Sequence, residues 1–157
     1  MKRDTIYLDT SVLNFFFEKE DLEKVYSTKE LFREIRRGKY APFISELVLR
    51  EIDKTERFKR KRLLSLVRTY EIHCLEVTPQ CLALAQKYME RKVFPQRFRD
   101  DSIHIAIATV HNIDVVISWN LRHMVKLKTR REVKAINILE SYREIEICTP
   151  TEVIESD

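Results

Sequence analysis

Five short runs of apolar, β-branched or aromatic residues, at 5–8, 41–44, 72–77, 115–117 and 145–148, are separated by stretches with helical spacing. Runs of this length, rich in Ile, Val, Tyr and Phe, read as strands. The intervening blocks at 21–37, 45–70, 79–91, 101–111 and 130–142 carry apolar residues at helical periodicity. Consecutive parallel strands need a crossover, usually a helix, so strict alternation predicts an α/β chain. The expected architecture is a three-layer α/β/α sandwich around a mainly parallel five-stranded sheet.

The length of 157 residues predicts one domain over 1–157, large enough to bury a core. No apolar run approaches the length of a membrane span. The N-terminus, Met1-Lys2-Arg3-Asp4, leads into a strand rather than a signal peptide's apolar stretch, and the expected location is cytoplasmic. Three cysteines, Cys74, Cys81 and Cys148, form no Cys-x-x-Cys pair and predict buried free thiols rather than a disulfide framework or a zinc site. Lys and Arg exceed Asp and Glu by 29 to 25, a mildly basic balance that permits a polyanionic partner. The single glycine, Gly38, follows Arg36-Arg37 where a helix needs a left-handed cap. Phosphate-binding loops built on glycines are therefore excluded, and with them P-loop and dinucleotide-binding functions.

Helix starts are marked locally. Thr78-Pro79 places a capping hydroxyl before a proline at the first helical position; Thr129 with Glu132 reads as a capping box, and Thr149-Pro150 with Glu152 combines both devices.

Polar residues fall just beyond the strands. Asp9, followed by Thr10 and Ser11, ends the first run; its simplest role is to cap the next helix. An aspartate-nucleophile phosphatase would need a second acid two residues on, where Ser11 stands. Glu46 and Glu51 lie on the helix after the second strand, about 140° apart on a 3.6-residue turn, so only one faces the sheet edge. The apolar neighbours Leu47 and Val48 favour Glu51. Asp101 opens an apolar helical segment, and Asn120 follows the fourth strand. In an open parallel sheet, groups leaving the carboxyl ends of strands converge on one crevice. Clustered carboxylates repel, so their assembly there predicts a divalent cation.

Asp9-Thr10-Ser11-Val12, Ile44-Ser45 with Glu51, Asp101-Ser-Ile-His-Ile-Ala-Ile-Ala and Val116-Ile-Ser-Trp-Asn120, in that order, resemble the PIN-domain family and its VapC-like toxin ribonucleases. The resemblance runs from about Ile6 to Cys148. It implies an endoribonuclease dependent on Mg²⁺ or Mn²⁺, acting on RNA as the toxin of a toxin–antitoxin pair, with an antitoxin protein as partner and a homodimer as the assembly. Carried over by position, Asp9, Glu51 and Asp101 match acidic metal ligands. Asn120 stands where the family's fourth acid is usual, which removes one negative charge and opens the alternative of a lapsed nuclease that only binds nucleic acid or a partner.

Two basic segments flank these positions. Residues 57–62 form a cationic run on a predicted helix, best read as a solvated face. Arg122, with Lys126, Lys128, Arg130 and Arg131, follows Asn120 directly, and Arg122 is the expected substrate contact. Phe15, Phe16 and Phe17 read as core or as a docking surface. His104, one helical turn after Asp101, reads as a hydrogen-bonded core histidine, and Trp119 as packing.

Overall fold

The computed structural model describes residues 3–155. Its sheet contains β1 (Asp4–Leu8), β2 (Tyr40–Ser45), β3 (His73–Leu75), β4 (Val115–Ile117) and β5 (Glu146–Cys148). The spatial order is β3-β2-β1-β4-β5 and every pairing is parallel. Between β1 and β2 run α1 (Thr10–Phe16) and α2 (Leu22–Arg36); α3 (Glu46–Asp53) and α4 (Arg57–Thr69) precede β3. Then come α5 (Pro79–Glu90), a 3-10 turn (Gln96–Phe98) and α6 (Arg99–Val110), with α7 (Leu127–Leu139) after β4 and α8 (Pro150–Val153) after β5.

The chain moves outward from β1 to β3, then crosses back to β4 and β5. Right-handed crossovers therefore place α1–α4 on one face and α5–α7 on the other. The strand order reverses between β1 and β4, so the crevice of the sheet opens beside the ends of these two strands. Both central strands are covered on both faces, and Ile6, Tyr7, Leu8, Val116 and Ile117 have no exposed surface. α6 is buried from Ser102 to Thr109 on every side, which explains its run of Ile and Ala rather than an amphipathic stripe.

Four local expectations need correction. The helical block at 45–70 is two helices, because Glu56 caps a second start by accepting from the Phe58 and Lys59 backbone N–H groups. The expected start at Thr129 is displaced: α7 begins at Leu127, which makes Thr129 its third residue and leaves the Thr129/Glu132 capping box unformed. β3 is shorter than its apolar run, since Thr78 already caps α5 through the Cys81 N–H. Residues 10–16, outside the helical blocks read from the sequence, form α1. The Thr149/Glu152 capping box is present as expected.

Gly38 ends α2 with φ +86°, its N–H donating to the Ile35 carbonyl at 3.0 Å. A Cβ there would meet no atom within 4 Å. Gly38→Ala is thus expected to cost about 1 kcal/mol through backbone strain alone, read as a lower denaturation midpoint at unchanged slope. Cys74, Cys81 and Cys148 are free thiols, of which only Cys81 is fully buried, the other two lying at partly exposed strand positions, and no described helix is long and apolar enough to cross a membrane.

Candidate functional site at the carboxyl edge of the sheet

Asp9 leaves β1 and turns the chain into α1. Its Oδ1 accepts from the Val12 N–H at 3.3 Å and from the Ser11 hydroxyl at 2.5 Å, so the helix-cap role is real. Its Oδ2 accepts from the Ser118 hydroxyl at 2.5 Å. Ser118 reaches it because Leu8 pairs with Ile117, which sets the residues after the two strands side by side. Ser118 Oγ also accepts the Asn120 N–H at 2.9 Å.

Asn120 joins this pair to α6. Its Nδ2 donates to Asp101 Oδ2 at 3.1 Å, and its Oδ1 accepts the His123 N–H at 3.0 Å. Reversing the amide would break both bonds, so the orientation follows from the network. The amide therefore presents its donor end to Asp101 and its oxygen to the backbone of its own loop. Asp101 lies in the first turn of α6, where Phe98 supplies no side-chain cap.

Glu51 enters from α3. Its Oε1 accepts from the Thr10 hydroxyl at 2.6 Å and from His104 Nε2 at 2.8 Å. The other ring nitrogen of His104 lies 2.6 Å from the Tyr7 hydroxyl, which is 2.7 Å from Ser45 Oγ. Since a carboxylate only accepts, His104 donates through Nε2 in either of its charge states. Glu46, in contrast, turns to the segment that follows β3 and accepts the Val77 N–H at 2.6 Å.

The electrostatics fit a group of anions held out of water. Burial raises the Asp9 carboxyl above its usual range despite the opposing charge of His104 and the hydroxyl and N–H donors around it. Burial first, and the negative charges of Asp9 and Glu51 after it, push Asp101 up to about 6 against the opposing His104 and Asn120. Burial also works against the charged form of His104, but the Glu51 hydrogen bond and the charges of Glu51, Asp9 and Asp101 outweigh it and raise the imidazole. Glu51 is lowered, because the His104 and Thr10 bonds and the His104 charge exceed its desolvation.

The structure thus places Asp9, Glu51, Asp101 and Asn120 at one edge, linked by hydrogen bonds or mutual charge. Arg122 is exposed two positions beyond Asn120 in the same loop, between Leu121 and His123. His104 is the buried, hydrogen-bonded histidine that its place one turn after Asp101 led one to expect, and its partner is a site residue. Ser118 and Tyr7 gave no signal before the strand register was known.

The donor chemistry suits a hard divalent cation: three carboxylates, two of them held high by burial, with Asp101 pressed further by its anionic neighbours. Among the described residues, no three His, Cys, Asp or Glu side chains converge tightly enough to form a ready-made cage. Asp101 and Glu51 each have one carboxylate oxygen without a hydrogen bond to the described residues, while both Asp9 oxygens are engaged.

A parallel five-stranded sheet between helical layers, with acids at its switch point, defines a PIN-like α/β/α fold. No protein-family model and no curated protein matches the sequence. In structure, the chain is similar to a chain of the VapBC2 complex of Rickettsia felis bound to a DNA fragment from its promoter. That likeness has a TM-score of 0.54 and 12% identity, covering 92% of this chain and 98% of the other. It is also similar to a chain of the DNA-bound VapBC complex of Salmonella typhimurium, at TM-score 0.50 and 16% identity, covering 94% and 98%. At these identities the likeness is one of fold.

Proposed function

We propose that this protein is a metal-dependent endoribonuclease that hydrolyses RNA phosphodiester bonds as the toxin of a toxin–antitoxin pair. The observation that carries the reading is the meeting of three carboxylates at one edge of the sheet: Asp9 and Asp101 are linked through Ser118 and Asn120, and Glu51 is bonded to the His104 that faces both. Burial and the charges of Asp9 and Glu51 raise Asp101 even against His104, and such a group of acids suits a cation.

Asp9, Glu51 and Asp101 are the residues that would hold Mg²⁺ or Mn²⁺, which when bound lowers the pKa of water and offsets charge on the phosphate. The chain's own contribution is positional. Ser11, Val12 and Ser118 fix both oxygens of Asp9, and Thr10 and His104 fix one oxygen of Glu51. Asn120 holds Asp101, and Arg122 meets the phosphate backbone from the adjoining loop. The toxin role draws on the VapBC complexes that share the fold; by analogy, an antitoxin chain is the expected protein partner and a second copy of the toxin the expected neighbour.

One observation favours a second reading, a lapsed nuclease that binds without cutting. The Asn120 amide already offers Asp101 a partial positive charge. The test is cleavage of a mixed single-stranded and structured RNA pool with Mn²⁺ by the original chain and by Asn120→Asp. Cleavage by the original supports the nuclease. Cleavage by Asn120→Asp alone supports the lapsed site, and inert behaviour of both, with growth unaffected by expression, removes the enzyme reading.

A further inference from the structure

Beside the acids lies a cleft of about 580 Å³ between the segment around Pro95 and the loop that leads from Asn120 into α7. Lys92, Arg122, Lys126 and Lys128 line it, and no acidic residue does. Lys92, Arg122 and Lys126 form no ion pair among the described residues, and Lys128 reaches only Glu132, at 4.0 Å on the exposed helix surface.

The start of α7 is arranged against its own stability. Helices favour acids in the first turn and a side-chain cap at the start. Here the cap position is Lys126, no side chain caps the helix, and Lys128 and Arg130 follow without an acid in the first turn. Thr129, in that turn, is 4% exposed and lines the cleft, and its hydroxyl has no hydrogen-bond partner among the described residues. Free backbone N–H groups, an unpartnered hydroxyl and surrounding cations make an anion-binding end.

One lining residue, His123, brings a flat surface to the cleft, backed by a second ring outside the lining. His123 stacks on Phe98 with ring centroids 4.0 Å apart, and Arg97 lies 5.3 Å from the Phe98 ring. Burial and the charges of Arg122, Lys126 and Arg97 hold the His123 imidazole below its usual value, as a positive local field requires. Through its N–H, His123 is bonded to Asn120, so the cleft adjoins the acid cluster.

Cations that track a backbone beside aromatic faces are the pattern of single-stranded nucleic-acid binding. We infer that this cleft is an RNA subsite: the first turn of α7 with Lys126, Lys128 and Thr129 holds a phosphate flanking the cleaved one, and the His123–Phe98 pair supports an unpaired base. This deepens the nuclease reading and rests on it for the position of the cleaved bond, but not for the binding itself. An acidic peptide would need the cations and not the stacked pair.

The test is anisotropy of a fluorescein-labelled, unstructured 20-nucleotide RNA with the full chain in EDTA, so that cleavage does not intrude, across a salt series. Lys126→Glu/Lys128→Glu is compared with Lys59→Glu/Lys61→Glu on exposed α4. The cleft pair is expected to raise Kd at least about tenfold near 0.1 M salt and to flatten the salt slope by roughly 0.7, the share of one phosphate on a single strand, whereas the α4 pair changes Kd less than about twofold. Its melting temperature is expected to hold or rise, because acids replace cations at a helix start. His123→Ala is expected to weaken binding about fivefold or more with the salt slope unchanged, since stacking carries no counterions.

Wild-type binding by the cleft pair, equal loss in the α4 pair, or a poly-glutamate peptide that displaces RNA and is unaffected by His123→Ala overturns the inference. RNA bound through the cleft by a chain that never cuts with Mn²⁺ would sink the nuclease reading and leave the cleft standing.

Discussion

Asp101→Asn is expected to cut RNA at least about 100-fold more slowly with Mn²⁺ and, in the metal-free protein, to be more stable than the original chain. The two effects share one cause. The Asp101 carboxyl is pushed up to about 6 from 3.8, so the native state retains a proton that the unfolded chain has already released. Stability therefore falls as pH rises from about 4 to 6, and above pH 7 the full cost, up to about 3 kcal/mol, is present. An amide carries no charge and still accepts from Asn120, so the variant loses this cost and its melting temperature varies less between pH 4 and 7. The original chain should recover stability with Mn²⁺, by about 2.7 kcal/mol at a concentration 100 times Kd, while Asp101→Asn shows little shift. An unchanged or lower melting temperature for metal-free Asp101→Asn at pH 7.5 would remove the argument that the site is a strained anion cluster.

The second large effect is expected at His104. His104→Leu keeps the volume of a side chain that is 3% exposed but removes the donor to Glu51 and the contact with Tyr7. Breaking a buried, charge-assisted bond on one side costs about 2–4 kcal/mol. The pH dependence has two limits. His104 is raised, so its contribution is complete below the ordinary imidazole value and is lost as pH rises through the folded one. Glu51 is lowered, so its contribution is present above the ordinary carboxylate value and is lost as pH falls through the folded one. The stability gap between original and variant is thus widest near pH 5–6.5 and narrows on both sides. A gap that stays constant from pH 4 to 9 would show that the interaction is not one of charge. With Glu51 held only by Thr10, apparent Mn²⁺ affinity should drop roughly 10- to 100-fold, as for other supports of metal-binding carboxylates.

Much of the fold was legible because its signals are local. Caps act over three residues and helical stripes over one or two turns, so Thr78-Pro79, Thr149 with Glu152 and Gly38 mark boundaries that the structure shares. Where local signals misled, a neighbouring one competed. Glu56 restarts a helix inside an apparently continuous block, and α7 begins ahead of Thr129 on a stretch of basic residues that the helix dipole disfavours at a start. At the site, helical angle showed that Glu46 and Glu51 face apart and the apolar neighbours Leu47 and Val48 selected Glu51, and the two do turn to different neighbours. The amide orientation of Asn120 was not legible: its partners are Asp101, 19 residues earlier, and a backbone N–H in its own loop.

By itself the sequence determined the alternation of strands and helices, the parallel sheet this forces, and the polar residues that leave the strand ends. Only the tertiary structure decided that Ser118 closes on Asp9 from 109 residues away, that His104 braces Glu51 across 53, and that a basic cleft opens beside Asp101. The reason is physical. Periodicity and capping depend on atoms within a turn or two of the same chain, whereas strand order and register are set by which faces bury together, and one residue of register determines whether a hydroxyl meets a carboxylate or the core.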